Sequence, residues 1–226
     1  MLALPAGYRA IAPDQRGYGD ADRSKKIDAT RGLSDLADDA IALLDYLGIQ
    51  KAHVAGHSLG GSVVFTLLMD YAPRFITAAL AAPGSPYGFC GTKDADGTPN
   101  YADFAGSGGG IVNRAFADRM AAQDRGIENP QSAPRIVMNN FYWKPSFVAA
   151  REEELLTSMM SEHIGDQEYP GDLTPSANWP NVAPGVFGPA NALSPKYTGD
   201  VSRLYRTSHK PPVLWVRGEH DQIISD

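Results

Sequence analysis

The chain has 226 residues, enough for one sizeable hydrophobic core with room for an insertion and not obviously for two ordinary domains. Its 26 acidic and 20 basic side chains give a formal net charge of -6 without any Lys/Arg cluster, which excludes nucleic acid as an expected partner. The single Cys90 excludes an internal disulfide, no ligand spacing suggests a metal or other cofactor, residues 1–5 do not read as a secretory signal and no stretch has membrane-spanning length. A soluble, cytoplasmic protein is therefore expected.

From the N-terminus, an apolar run over 8–13 reads as a strand that stops at Asp14-Gln15-Arg16-Gly17-Tyr18-Gly19, a polar glycine-rich turn. Leu36, Ala40, Leu43, Leu44 and Leu47 then recur at helical spacing, with Ser34 as the expected cap and Gly48 as the terminator. A second strand is predicted over 52–55, a helix over 61–71 that stops before Pro73, and a third strand over 75–82 ended by Pro83-Gly84. The alternation then breaks down. Residues 85–196 are rich in Gly, Pro, Asn, Ser and aromatics, with helical segments expected near 112–123 and 146–163. In the second segment Phe147, Leu155, Leu156, Met159 and Met160 supply an apolar side. A fourth strand is predicted over 212–218. Strands alternating with amphipathic helices imply an α/β fold, a mostly parallel sheet with helices on both faces. The long insertion, set where parallel strands end, is expected to form a lid or pocket wall.

The chemistry centres on Gly56-His57-Ser58-Leu59-Gly60-Gly61, which places a hydroxyl between glycines at a strand-to-helix turn. A serine hydroxyl needs a base to take its proton and an exposed position that a substrate can reach. Gly56 and Gly60 are expected to let the two backbones approach while Ser58 is held in a strained conformation, and the Leu59 N–H then points at a developing oxyanion. None of the five histidines fits the base. His53 lies in the strand, His57 precedes the nucleophile, His163 belongs to the insertion, His209 enters the last strand and His220 leaves it. Asp221, just past that strand, is the better candidate for the acid that orients a base, with Glu219 as its rival and a turn-capping role as the alternative.

These segments resemble the α/β-hydrolase superfamily with an enlarged cap. The 11–19 stretch is similar to the segment after that family's fourth core strand, the 56–61 run to its nucleophile elbow, and residues 212–221 to the strand and loop that carry its acid. The resemblance implies a first core segment over 1–84, a cap over 85–196 and a second, incomplete core segment over 197–226. It implies Ser58 as nucleophile, Leu59 as an oxyanion-hole amide, Asp221 as triad acid, and Asp14, Arg16 and Gly17 as residues that stabilise loops beside the site. Gly56, His57, Gly60 and Gly61 would set the elbow geometry. A serine rather than an aspartate at the elbow implies hydrolysis of ester, amide, lactone or carbon–carbon bonds rather than of epoxides or carbon–halogen bonds. Members of the superfamily carry further strands and a His-Gly loop before this region and a catalytic histidine after it. The chain is therefore expected to be a segment of a longer hydrolase core, inactive by itself. The expected substrate is a small molecule or short peptide with an apolar portion, and Phe141, Trp143 and Met159 are candidate pocket residues, with a cap-core role as the equal alternative. An esterase, an aminopeptidase, a lactonase and a carbon–carbon hydrolase are not separated by the residues. A cofactor-free haloperoxidase and a non-catalytic binding protein stand as rival readings, and the oligomeric state is not readable.

Overall fold

The computed structural model describes residues 4–224; Met1, Leu2 and Ala3, which contribute to the reading of the N-terminus, lie outside them. A 3-10 turn over Ala29–Arg31 leads into helix α1 (Ser34–Tyr46), strand β1 (Ala52–His57), helix α2 (Leu59–Asp70) and strand β2 (Phe75–Ala81). The insertion follows, with helices α3 (Arg114–Ala121), α4 (Pro134–Phe141) and α5 (Glu152–Met159). Four short strands come next: β3 (Ile164–Gly165), β4 (Tyr169–Pro170), β5 (Leu173–Pro175) and β6 (Val182–Pro184). Helices α6 (Pro189–Ala192) and α7 (Arg203–Arg206) lead back to strand β7 (Val213–Val216).

The main sheet is parallel, in the order β1-β2-β7. Its register aligns His57 with Ala81 and Ala81 with Val216, so the three strands end in one line. Whatever follows those ends therefore meets at one rim. Helix α2 has eight consecutive buried residues, 61–68, as expected of a helix enclosed on several sides rather than one. Val63, Val64, Phe65, Leu67 and Leu68 join Leu36, Leu44, Phe75 and Leu80 in the principal core, and the Phe65 ring lies 5.4 Å from that of Trp215 on β7. Helix α1 ends in a Schellman arrangement: Gly48 at φ +69 donates to the Asp45 carbonyl and Ile49 to that of Leu44. The opposite face of the sheet is open to solvent at His53, Ala55, His57 and Ile76, and all four residues of β7 are exposed.

Three expectations need correction. Residues 8–13 form no strand; they lie exposed, with the Tyr8 ring 6.3 Å from that of His53. An apolar run becomes a strand only when its backbone finds a partner, and β1 pairs with β2 alone among the described strands. Ser34 is the first residue of α1 rather than its cap; Leu33 holds that position without a side-chain hydrogen bond. The insertion holds a third longer helix, α4, that begins with Pro134, a residue whose fixed φ suits a first helical position.

Truncating Leu80, fully buried at the centre of the sheet, is expected to cost about 2–5 kcal/mol. Leu214→Ala on exposed β7 should change stability by under about 0.5 kcal/mol. The shift in urea midpoint of each variant checks the contrast.

Candidate active site

Ser58 connects β1 directly to α2 and holds φ +52, ψ -120, a backbone conformation that costs a non-glycine residue about 1–3 kcal/mol. Its N–H donates to the Ala81 carbonyl at 3.0 Å, and its own carbonyl receives the Ser62 N–H at 3.1 Å. Both hydrogen bonds fix the turn from either side. The Ala82 N–H continues the lacing across the rim to the Val216 carbonyl, 2.8 Å away. As the first residue of α2, Leu59 has an N–H with no acceptor inside the helix, and this donor stands at the positive end of the helix dipole.

The glycines around Ser58 have different tasks. A Cβ on Gly56 would overlap the Gly60 carbonyl, and one on Gly61 would stand 2.7 Å from Pro83 Cβ, whereas one on Gly60 would meet open space. The close approach expected of Gly56 and Gly60 is thus made by the side of Gly56 against the backbone at Gly60, and by Gly61 against the segment after β2. His57, the last residue of β1, is exposed.

Asp221 lies five residues beyond the end of β7, on the edge of the sheet where Ser58 follows β1. Its Oδ1 accepts the N–H groups of Ile223 (3.0 Å) and Ile224 (2.9 Å), and its own N–H reaches the Gly218 carbonyl at 3.2 Å. The carboxylate is therefore held in a turn, with Oδ2 free of any hydrogen bond within the described residues. No histidine among them hydrogen-bonds Ser58 or Asp221. His53 Nδ1 meets Thr77 Oγ1 at 2.7 Å on the neighbouring strand, and His209 and His220 are exposed.

His163 is fully buried and fastens the insertion to the 14–20 loop. Its N–H donates to the Gly17 carbonyl and its Nε2 to that of Gly19, both at 2.9 Å, while the Gly19 N–H donates to the Ser161 carbonyl at 3.1 Å. The loop is itself anchored. Arg16 forks onto Asp39 of α1 (3.0 and 2.8 Å) and donates to the Lys26 carbonyl, Gly17 turns at φ +90, and Asp14 accepts the Asp20 N–H at 3.0 Å. A Cβ on Gly19, which turns at φ +51, would overlap the Asp14 carboxylate and displace it from the Asp20 N–H. Of the candidate pocket residues, Trp143 and Met159 pack against Met138, Leu156 and Met160 in a small core inside the insertion, and Phe141 is exposed at its surface. None of the three, nor Ser58, lines either of two cavities, one beside Ser62 and one beside Glu162. Sequence reasoning misses the fastening residues; the only local hint is a tyrosine, Tyr18, in an otherwise polar turn.

Comparison with known proteins bears on the fold. A family described as alpha/beta hydrolase fold matches residues 2–102. The chain is 48% identical over 83 residues to the AB hydrolase superfamily protein YfhM of Bacillus subtilis, a match that covers 35% of this chain and 29% of that protein. It is 40% identical over 82 residues to Epoxide hydrolase A of Mycobacterium tuberculosis, covering 36% of this chain and 25% of that protein. These matches span less than a third of the curated relatives. Among solved structures, a mutant of the meta-cleavage product hydrolase CumD superimposes with a TM-score of 0.53 at 18% identity, over 96% of this chain and 64% of that one. The chain has the α/β-hydrolase fold: a mostly parallel sheet flanked by helices, with a helical cap inserted between β2 and β7.

Gly56→Ala is expected to lose about 2 kcal/mol or more, because the clash is with backbone that cannot move without shifting α2. Gly60→Ala should be neutral or gain up to about 1 kcal/mol from helix propensity, and thermal melts of the pair test the assignment.

Proposed function

We propose that the whole protein is a serine-nucleophile hydrolase acting on an ester, amide or carbon–carbon bond, with Ser58 as nucleophile, the Leu59 N–H as one oxyanion donor and Asp221 as the acid of the triad. The observation that carries this reading is the backbone of Ser58 at φ +52, ψ -120 between a strand and a helix, a strained position for a residue that could have been glycine. Such strain is retained where it aims a hydroxyl out of the fold, which is what a nucleophile requires. In the reaction the Ser58 oxygen attacks the carbonyl carbon as a base removes its proton. The developing oxyanion is then held by the Leu59 N–H and a second donor, and water resolves the acyl-enzyme. The free Oδ2 of Asp221 suits a carboxylate that accepts an imidazole N–H and stabilises the imidazolium. With no described histidine on Ser58 or Asp221, the base comes from outside residues 4–224 in this reading. An epoxide hydrolase, the activity named for some of the relatives, would want a carboxylate at the elbow, where this chain has a hydroxyl. The exposed side chains Phe141, Phe147 and Val148 on the cap favour a substrate with an apolar portion.

In the full-length protein a fluorophosphonate is expected to label Ser58, as read by peptide mass spectrometry, and Ser58→Ala should abolish labelling; label elsewhere counts against the assignment. Asp221→Asn should lower kcat by about 10⁴-fold, the loss seen when a triad base keeps its place with the wrong tautomer. Purified residues 1–226 are expected to hydrolyse p-nitrophenyl acetate no faster than their Ser58→Ala variant. Turnover that depends on Ser58 in that segment would sink the external-base reading.

A further inference from the structure

The chain leaves β2 through Ala82, Pro83 and Gly84, and these residues grip the corner that Ser58 makes. One peptide unit, between Ala81 and Ala82, spans the rim: its carbonyl accepts the Ser58 N–H at 3.0 Å, and its N–H donates to the Val216 carbonyl at 2.8 Å. Ala82 then turns off the sheet at φ +43, a left-handed value, and Pro83 has neither an N–H to extend the ladder nor a free φ. The path so fixed runs onto the first turn of α2. Pro83 is buried there, its Cβ and Cα 2.7 and 3.0 Å from the place a Cβ on Gly61 would take, so no methyl group fits between the two backbones. Gly84, also buried, faces Ser62, whose Oγ would stand 3.1 Å from a Cβ on Gly84. Ser62 in turn donates its N–H to the Ser58 carbonyl at 3.1 Å. The first turn of α2, which carries the Leu59 N–H, is thus braced at its third and fourth residues by the segment that follows β2.

An oxyanion donor is effective only when held within about 0.5 Å and 10–20° of its productive geometry. The turn offers little stiffness of its own, since Gly60 and Gly61 follow Leu59 directly and glycine is the least constrained of residues. We propose, on the reading of Ser58 as nucleophile and Leu59 as oxyanion donor, that Pro83 is a positioning residue for the reaction. Its Cα and Cβ, wedged against Gly61, keep the Leu59 N–H aimed at the developing oxyanion. Pro83 acts through Gly61 and not through the substrate, so its effect falls on kcat rather than on KM.

Steady-state hydrolysis of p-nitrophenyl acetate by the full-length protein tests this, with active sites counted by fluorophosphonate labelling and each variant assayed well below its melting temperature. Pro83→Gly removes the Cβ that meets Gly61 and is expected to lower kcat per labelled site by about tenfold or more, part of the roughly 10²–10³ that a lost oxyanion donor costs, with KM held within about twofold. Pro83→Ala keeps both contacting atoms and should retain kcat within about threefold of the unsubstituted protein. A proline with a structural task alone would lower the melting temperature and leave kcat per labelled site unchanged. That result would overturn the proposal, as would a loss in Pro83→Ala equal to that in Pro83→Gly, or a raised KM at constant kcat. If Ser58 of the unsubstituted protein takes no label, the Ser58 reading falls and the role of Pro83 with it. Label on Ser58 together with an unaltered kcat in Pro83→Gly overturns the role of Pro83 alone.

Discussion

The backbone contact between Gly56 and Gly60 is the constraint on which the rim of this molecule depends. Strand and helix approach so closely there that a single residue, Ser58, makes the whole reversal, and it can do so only with positive φ. The local cost is offset by what the reversal permits. Helix α2 starts immediately, runs back along the sheet and buries eight residues in succession, at roughly 1.5–3 kcal/mol for each large apolar side chain. The same geometry makes Ser58 the residue immediately before the first N–H groups of α2. Strain, core and electrostatics at this corner are consequences of one steric fact.

The cap takes its place from the same core, at one remove. Asp35 of α1, almost fully buried, accepts the Asp28 N–H and pairs with Arg31 and with Arg16, and Arg16 also grips Asp39. A buried carboxylate that lost these partners would be left uncompensated, which makes the arrangement hard to dismantle piecemeal. The 14–20 loop is thereby tied to α1 through Arg16. Residues 161–163 then dock onto it through backbone carbonyls, contacts that fix position without requiring particular side chains on the loop. A chain of contacts from α1 through the loop to residue 163 therefore positions the cap.

Much of the core is legible because its signals are local. The strands at 52–57, 75–81 and 213–216 are short apolar runs closed by Gly or Pro, and α1 shows its period and its terminal glycine. What escapes the sequence depends on partners distant along it. Residues 8–13 have strand-like composition and no strand to pair with, and the Gly60/Gly61 distinction turns on Pro83, more than twenty residues away. In the insertion, α4 goes unread because Pro134 looks like a breaker until it is seen in a first helical position. The Ser58 elbow and the position of Asp221 past β7 can be read from the sequence; the fastening by His163, 144 residues from Gly19, cannot, since a lone histidine carries no record of its acceptor.

The sheet order β1-β2-β7 makes neighbours of two strands separated by the entire cap. The chain leaves the sheet after β2 and rejoins it beside the same strand, with the Ala82 N–H on the Val216 carbonyl close to the point of departure. Lengthening such an excursion is cheap, since the entropy of closing a loop grows only with the logarithm of its length, about 0.6 kcal/mol per doubling. Registers at the base are set by strand pairing and are indifferent to what is threaded between. In an architecture of this kind the segment between β2 and β7 can be exchanged, enlarged or reshaped by insertion and deletion while the corner at the strand ends keeps its geometry, so the two parts of the chain are free to evolve at separate rates.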